Sequence, residues 1–164
     1  MFVLGIDPGL SRCGYGCVEQ RRPRPRAVAA GVIRTAAHLP LPVRLAELQR
    51  DVRALLDELS PEVVAIERVL FQVNVRTAMS VGQASGIVMA EAAARGCDVV
   101  EYSPNEIKSA VAGDGGADKQ QMEQMVQTLI GIDEPLRPVD AADAVAVALC
   151  HLARAPFVMA VGPR

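Results

Sequence analysis

Four acidic residues in this sequence have types and spacing suited to metal chemistry: Asp7, Glu67, Asp140 and Asp143. Asp7 closes the apolar run Phe2–Ile6, and Glu67 closes Val63–Ile66. Asp140 and Asp143 are spaced i, i+3, which places both on one face of a helix. A helix N-terminus favours negative charge, so both stay ionised there and able to take a cation. Acids gathered from three separate elements repel one another unless divalent ions intervene. Only two histidines exist, His38 and His151, which excludes a site built on several imidazoles. Oxygen donors favour Mg²⁺ or Mn²⁺. Two such ions about 3.5–4 Å apart suit in-line attack on a phosphodiester, one activating water and the other steadying the leaving 3′ oxygen. That chemistry requires no covalent enzyme intermediate, in keeping with the lack of an evident His-activated Ser or Cys.

Each acid also has a simpler role available. Asp140 could serve only as an N-cap, Asp143 as a solvated first-turn acid, and Asp7 before Pro8-Gly9 as turn chemistry. Glu67 could pair with Arg68. The combination argues for more: two acids at strand ends and an Asp-x-x-Asp on an apolar helix.

The elements that must position these acids follow from the pattern of apolar residues. Phe2–Ile6 reads as a buried strand ending in the turn Asp7-Pro8-Gly9. Cys13–Glu19 and Ala27–Arg34 read as two further strands, joined by the basic loop Arg21–Arg26, and the three form an antiparallel meander. Leu45, Leu48, Val52, Leu55, Leu56 and Leu59 share one helical face, and Ser60-Pro61 ends that helix. Val63–Ile66 is a fourth strand. A helix from about Thr77 to Arg95 contains Gly82 and Gly86, which cost helix stability and so imply close packing. Asp98–Tyr102 is a fifth strand. Ser103, Pro104 and Glu106 form the start signal of a helix reaching about Ala112. Met122, Met125, Val126, Leu129 and Ile130 mark another helix, stopped by Gly131. Asp140–Ala155 is apolar on nearly all sides and should be buried, with a loosely ordered tail from Pro156. Strands alternating with helices after a meander make a mixed α/β sheet. Ligands in such sheets sit at the carboxyl ends of parallel strands, where Asp7 and Glu67 lie.

The 164 residues suit one domain, 51% hydrophobic and only 3% aromatic, which favours tight packing over a large cavity. No apolar run nears the ~20 residues of a membrane span. Phe2–Ile6 has no preceding basic residue and is cut short by Asp7, unlike a signal peptide, so a cytoplasmic protein without membrane association is expected. Cys13, Cys17, Cys97 and Cys150 form no CxxC and read as reduced thiols. The net charge of −2 and pI near 5.7 sit awkwardly with nucleic-acid binding. Charge distribution and bound cations can offset that balance.

Gly5-Ile6-Asp7-Pro8-Gly9, Tyr15-Gly16, Ala65-Ile66-Glu67, Gly82-Gln83-Ala84-Ser85-Gly86 and Asp140-Ala141-Ala142-Asp143-Ala144 resemble the RuvC family of bacterial Holliday-junction resolvases in order and spacing, over the chain to about His151. The resemblance implies an RNase H-like α/β fold over residues 1–155: a five-stranded mixed sheet, three strands antiparallel plus two parallel, flanked by helices, with residues 156–164 as tail. It implies a homodimer that nicks two opposed strands of a four-way DNA junction in recombination and repair, and a branch-migration motor complex as partner. The family's catalytic acids fall on Asp7, Glu67, Asp140 and Asp143, holding Mg²⁺ (two ions) or Mn²⁺. Its DNA-contacting lysines fall on Lys108 and Lys119, and its dimer helix on Gly82–Gly86. A two-fold dimer matches a junction of approximate two-fold symmetry.

The chain departs from the family pattern at Leu70, where many relatives carry an aromatic; Phe71 next to it is the candidate for stacking at the junction centre. Val73 stands where a basic residue is common, and Arg76 is a candidate phosphate contact. Lys108 and Lys119 could equally be solvated, as could Arg21–Arg26. Gly113–Gly116 followed by Lys119 lacks P-loop spacing. Two other functions fit parts of the sequence. The Gly-Ile-Asp-x-Gly start also opens actin and sugar-kinase nucleotide sites, although those need a much longer chain. A non-catalytic junction-binding module would need one acid out of place.

Overall fold

A computed structural model describes residues 1–68 and 75–161, and the side chains of these except at 75–77 and 156–161. The elements run β1 (Phe2–Asp7), β2 (Arg12–Glu19), β3 (Arg26–Arg34), α1 (Leu41–Leu59), β4 (Val63–Glu67), α2 (Val75–Ala94), β5 (Asp98–Tyr102), α3 (Pro104–Ala112), α4 (Lys119–Ile130) and α5 (Val139–Val161). The strands form one sheet in the order β3-β2-β1-β4-β5. β1–β2 and β2–β3 are antiparallel, while β1–β4 and β4–β5 are parallel. This is the expected meander continued by two parallel strands.

Alternation along the two central strands decides which side chains meet. Successive residues of a strand point to opposite faces. Leu4 and Ile6 of β1 and Val64 and Ile66 of β4 pack against Leu48, Val52 and Leu56 of α1 and Ala84, Val88 and Ala92 of α2. Val3, Val63 and Ala65 point the other way, into a core shared with α3, α4 and α5. Asp7 and Glu67 therefore emerge on the α5 face, at the carboxyl ends of neighbouring parallel strands. The α1–α2 pair is further tied by Glu91, only 6% exposed, which accepts hydrogen bonds from Gln49, Arg53 and Arg95.

Local signals explain the helix limits. Ser103 Oγ accepts from the Glu106 amide at 3.3 Å, and the Glu106 carboxylate accepts from the Ser103 amide at 2.9 Å. The same reciprocal cap opens α4, where Asp118 and Gln121 exchange two 2.9 Å bonds. It starts α4 at Lys119, a few residues earlier than the apolar periodicity indicates. α1 likewise begins at Leu41, with a proline in its first turn, where no N–H is required. It ends at Ser60 in a left-handed conformation, φ 44°. α5 carries on to Val161, past the boundary expected at Ala155.

Ala141, Ala142 and Ala144–Cys150 are all buried, so α5 lies deep against the sheet. Glycines in the strands beneath it permit that depth. A Cβ on Gly5 would collide with the Ala144 carbonyl oxygen and stand 2.7 Å from the Ala148 amide nitrogen. A Cβ on Gly14 would strike the backbone of Asp140. The helix that carries the Asp-x-x-Asp thus rests on bare backbone. All four cysteines are free, with Cys13, Cys17 and Cys150 buried and Cys97 half-buried. Among the described residues, no helix is long and apolar enough to cross a membrane.

Candidate active site

Pairing of Ile6 with Ile66 in the parallel β1–β4 register leaves Asp7 and Glu67 as the next residues of each strand. Asp143, one residue before the Ala144 that rests on Gly5, descends from α5 toward the same point. Asp7, Glu67 and Asp143 line one cleft of about 290 Å³. Lys108 from α3 and Lys119 at the start of α4 line it as well, and Ile107, Met122 and Ala146 supply apolar wall.

The electrostatics are those of carboxylates crowded without enough counter-charge. Burial pushes the Asp7 carboxyl up to about 7, and Glu67, Asp143 and Asp140 add to that rise while Lys119 opposes it. Glu67 is raised by burial and then by Asp143, with Lys108 and Lys119 pulling it down. Asp143 is raised by burial and by Asp140, again against Lys119. Opposite charge within a few ångströms favours the ionised form and like charge disfavours it. The two lysines therefore offset only part of the excess, and the cleft favours a further cation. Hard carboxylate oxygens suit a divalent ion such as Mg²⁺ or Mn²⁺.

Asp140 behaves differently. It is the second residue of α5, inside the helix rather than capping it. Its Oδ2 accepts a hydrogen bond from Arg12 Nε at 3.1 Å and a shorter one from Arg12 Nη2. Arg12 holds this carboxyl below the usual carboxylate range, with Arg34 contributing. The structure thus brings together Asp7, Glu67 and Asp143, and keeps Asp140 beside them on Arg12. Among the described residues no group of three or more His, Cys, Asp or Glu is already arranged as a metal cage. The involvement of Arg12 was not legible in the sequence. Its partner lies 128 positions away, and no spacing rule connects a residue after a Pro-Gly turn to a distant helix.

Phe71 and Leu70 lie outside the described residues. Arg76 is placed only as the second residue of α2, near its N-terminus. The Arg21–Arg26 loop follows Glu19, which pairs with Phe2 on one side and with Arg26 of β3 on the other, so it lies at the opposite end of the sheet from Asp7.

A mixed sheet of this order, with acids at the ends of adjacent central strands and on the helix crossing them, defines an RNase H-like domain of the nuclease kind. The family model described as "Crossover junction endodeoxyribonuclease RuvC" matches residues 3–151. The chain is 50% identical to the crossover junction endodeoxyribonuclease RuvC of Streptomyces avermitilis, over 95% of this chain and 89% of that protein. It is similar to the solved structure of Thermus thermophilus RuvC in complex with Holliday junction substrate, with a TM-score of 0.90, 35% identity and 96% of each chain covered. The yeast mitochondrial Holliday junction resolvase shares the fold, at a TM-score of 0.68 and 18% identity, over 92% of this chain and 78% of that one. The chain belongs to the RuvC family of crossover junction endodeoxyribonucleases.

Proposed function

We propose that this protein resolves four-way DNA junctions as a homodimer, hydrolysing one phosphodiester in each of two opposed strands. The observation that carries the reading is the convergence of Asp7, Glu67 and Asp143 in one cleft flanked by Lys108 and Lys119. Asp7, Glu67 and Asp143 would hold Mg²⁺ or Mn²⁺, with Asp140 joining them once released from Arg12. Bound divalent ions would activate water and stabilise the charge that develops on the leaving 3′ oxygen. Lys119 and Lys108 stand beside the acids and would hold the phosphate backbone that passes over the cleft. The apolar wall of Ile107, Met122 and Ala146 limits water next to the carboxylates, which strengthens each charge interaction there. A nucleotide-binding role fits poorly, because three crowded carboxylates repel a bare phosphate.

Dimerisation is supported by the outer side of α2. Gly82 and Gly86 are exposed, and a Cβ on either would meet nothing within 4 Å. Met79 on the same helix is 60% exposed. The close packing that helical glycines imply is therefore unmet within one chain, and a second copy would supply it. A branch-migration motor as partner belongs to the same reading on family resemblance.

The test is cleavage of a synthetic four-way junction with Mg²⁺, with linear duplex and metal-free arms in parallel. Junction-specific paired nicks are expected. Asp7→Asn should bind the junction and leave it uncut; full cutting by that variant refutes the assignment of the cleft.

A further inference from the structure

The lysines of the cleft stand on the α3–α4 side only. On the opposite side, Arg12 and Arg34 face each other across the β2–β3 pairing. They lie at the same end of the sheet as Asp7, which pairs with Gly14. Both are exposed. Arg44, from the first turn of α1, reaches back to this end. Its Nε donates to Thr35 Oγ1 at 3.0 Å and its Nη2 to Ser11 Oγ at 2.6 Å. Thr35 Oγ1 in turn donates to the Leu10 carbonyl at 2.5 Å. The Arg44 guanidinium is thus fixed beside the loop that leads from Asp7 into β2.

Six arginines elsewhere are paired with acids, while Arg22, Arg24 and Arg26 at the far end of the sheet and Arg68 have no ion pair among the described residues. Arg21 pairs with Glu19, Arg50 with Asp51, Arg53 and Arg95 with Glu91, Arg137 with Glu123 and Arg154 with Glu106. Among the described residues, the one acid paired with any member of the Arg12, Arg34 and Arg44 group is Asp140, held by Arg12. Three guanidiniums therefore share one carboxylate, and this margin keeps a positive excess on a chain whose net charge is −2. Arg34 has no ion pair among the described residues.

The geometry points to a second phosphate-contact strip, formed by Arg12, Arg34 and Arg44 on the β2–β3 side of the cleft, that carries the backbone of a junction arm. The proposal rests on the reading of this cleft as a junction nuclease. Guanidinium forks match phosphate oxygens in pairs of hydrogen bonds. With lysines on one flank and arginines on the other, duplex crossing the carboxylates meets cations on both sides. The strip also accounts for how an acidic chain holds a polyanion: the charge that matters is placed, not abundant. Arg12 has a double role, since a carboxylate taken up by metal ions releases its guanidinium to the DNA.

The experiment measures binding of a labelled four-way junction, without Mg²⁺ so that nothing is cut, across a range of salt concentrations. Each phosphate contact contributes roughly 0.9 to the slope of log affinity against log salt. Arg34→Ala should weaken binding and lower the slope by about that amount. Arg34→Lys should restore the slope, which separates charge from folding. Arg22→Ala, at the far end of the sheet, should match the parent. A wild-type slope and affinity in Arg34→Ala overturn the strip, as does an equal loss in Arg22→Ala, which would mean that only overall charge counts. If the parent protein binds no junction, the reading of the cleft itself fails, an outcome distinct from either.

Discussion

The depth at which α5 sits on the sheet decides where Asp143 stands, and one methyl group tests that link. In Gly5→Ala, the new Cβ would lie 2.7 Å from the Ala148 amide nitrogen and closer still to the Ala144 carbonyl oxygen, where ordinary contact begins at 3.4 Å. Both obstacles are backbone, so no side chain can swing aside. Relief requires α5 to lift from β1 by about 1 Å, the kind of backbone shift that costs about 1–3 kcal/mol in a well-packed core. For a domain of this size that lowers the unfolding midpoint by about 2–12 °C. Asp143 immediately precedes Ala144, so it moves with the helix while Asp7 and Glu67 stay on their strands. A misplacement of about 1 Å at reacting groups can cost about 10²-fold in rate. Junction affinity should change little, because the lysines of α3 and α4 and the arginines of β2, β3 and α1 are not on α5. Urea unfolding, junction binding and single-turnover cleavage of the purified variant measure the three quantities. A variant that cuts at the parental rate with parental stability would show that contact between α5 and β1 does not set the site.

Three further outcomes follow from the charges. Asp7, pushed up to about 7 chiefly by burial and then by Glu67 and Asp143, has a folded pKa above its unfolded value of about 3.9. Its contribution to stability is full below that unfolded value and is lost as pH rises through about 7. In chelator, Asp7→Asn should therefore be more stable to urea than the parent near pH 8, by on the order of 3 kcal/mol or less, and match it near pH 4; equal stabilities at both pH values refute the crowding argument. Arg12→Ala removes the partner that holds Asp140 away from metal, so the Mn²⁺ concentration at half-saturation should fall, by up to about fivefold; unchanged Mn²⁺ titration by paramagnetic resonance would refute it. His151 is lowered mainly by burial, against an opposing pull from Asp98, and its Nδ1 meets the Tyr102 hydroxyl at 2.9 Å. The stability gained by keeping it neutral is present above the unfolded value of about 6.5 and is lost as pH falls below it. His151→Gln should flatten the stability profile between about pH 7 and 5, as read by urea unfolding; an unchanged profile refutes the role of His151.

The strands were legible because their periodicity is strong and the burial is two-sided: Val3 to Ile6 and Val63 to Ile66 are apolar at every position except Gly5, as parallel central strands must be. The same alternation places Asp7 and Glu67 together, since each follows an apolar residue that faces α1 and α2. Apolar spacing alone starts α4 a few residues late, because the Asp118-x-x-Gln121 cap, equally visible in the sequence, sets its true start. Gly5 and Gly14 read as strand residues, and nothing local says that a helix more than a hundred positions later presses on them. The role of Arg12 is hidden for the same reason. Its contact with Asp140 exists only once β2 and α5 are packed, and pairwise contacts of long sequence separation leave no periodic trace.

The arrangement has a consequence for the order in which the site is filled. Without metal ions, three half-buried carboxylates repel the phosphate that the flanking lysines and arginines attract, so the centre of the surface opposes its margins. Ions in the cleft remove the repulsion and, by drawing Asp140 from Arg12, add a free guanidinium to the DNA-facing strip. On this reading metal and DNA each raise the affinity of the other, and thermodynamic linkage requires the two factors to be equal. A DNA-free protein should then take up Mn²⁺ weakly and a junction-bound one tightly, with the same ratio recovered from junction affinity measured with and without a non-cleaving divalent ion. Unequal ratios would mean that the two ligands are being read from different states of the protein; a ratio of one would mean that the carboxylates and the cationic margins act independently.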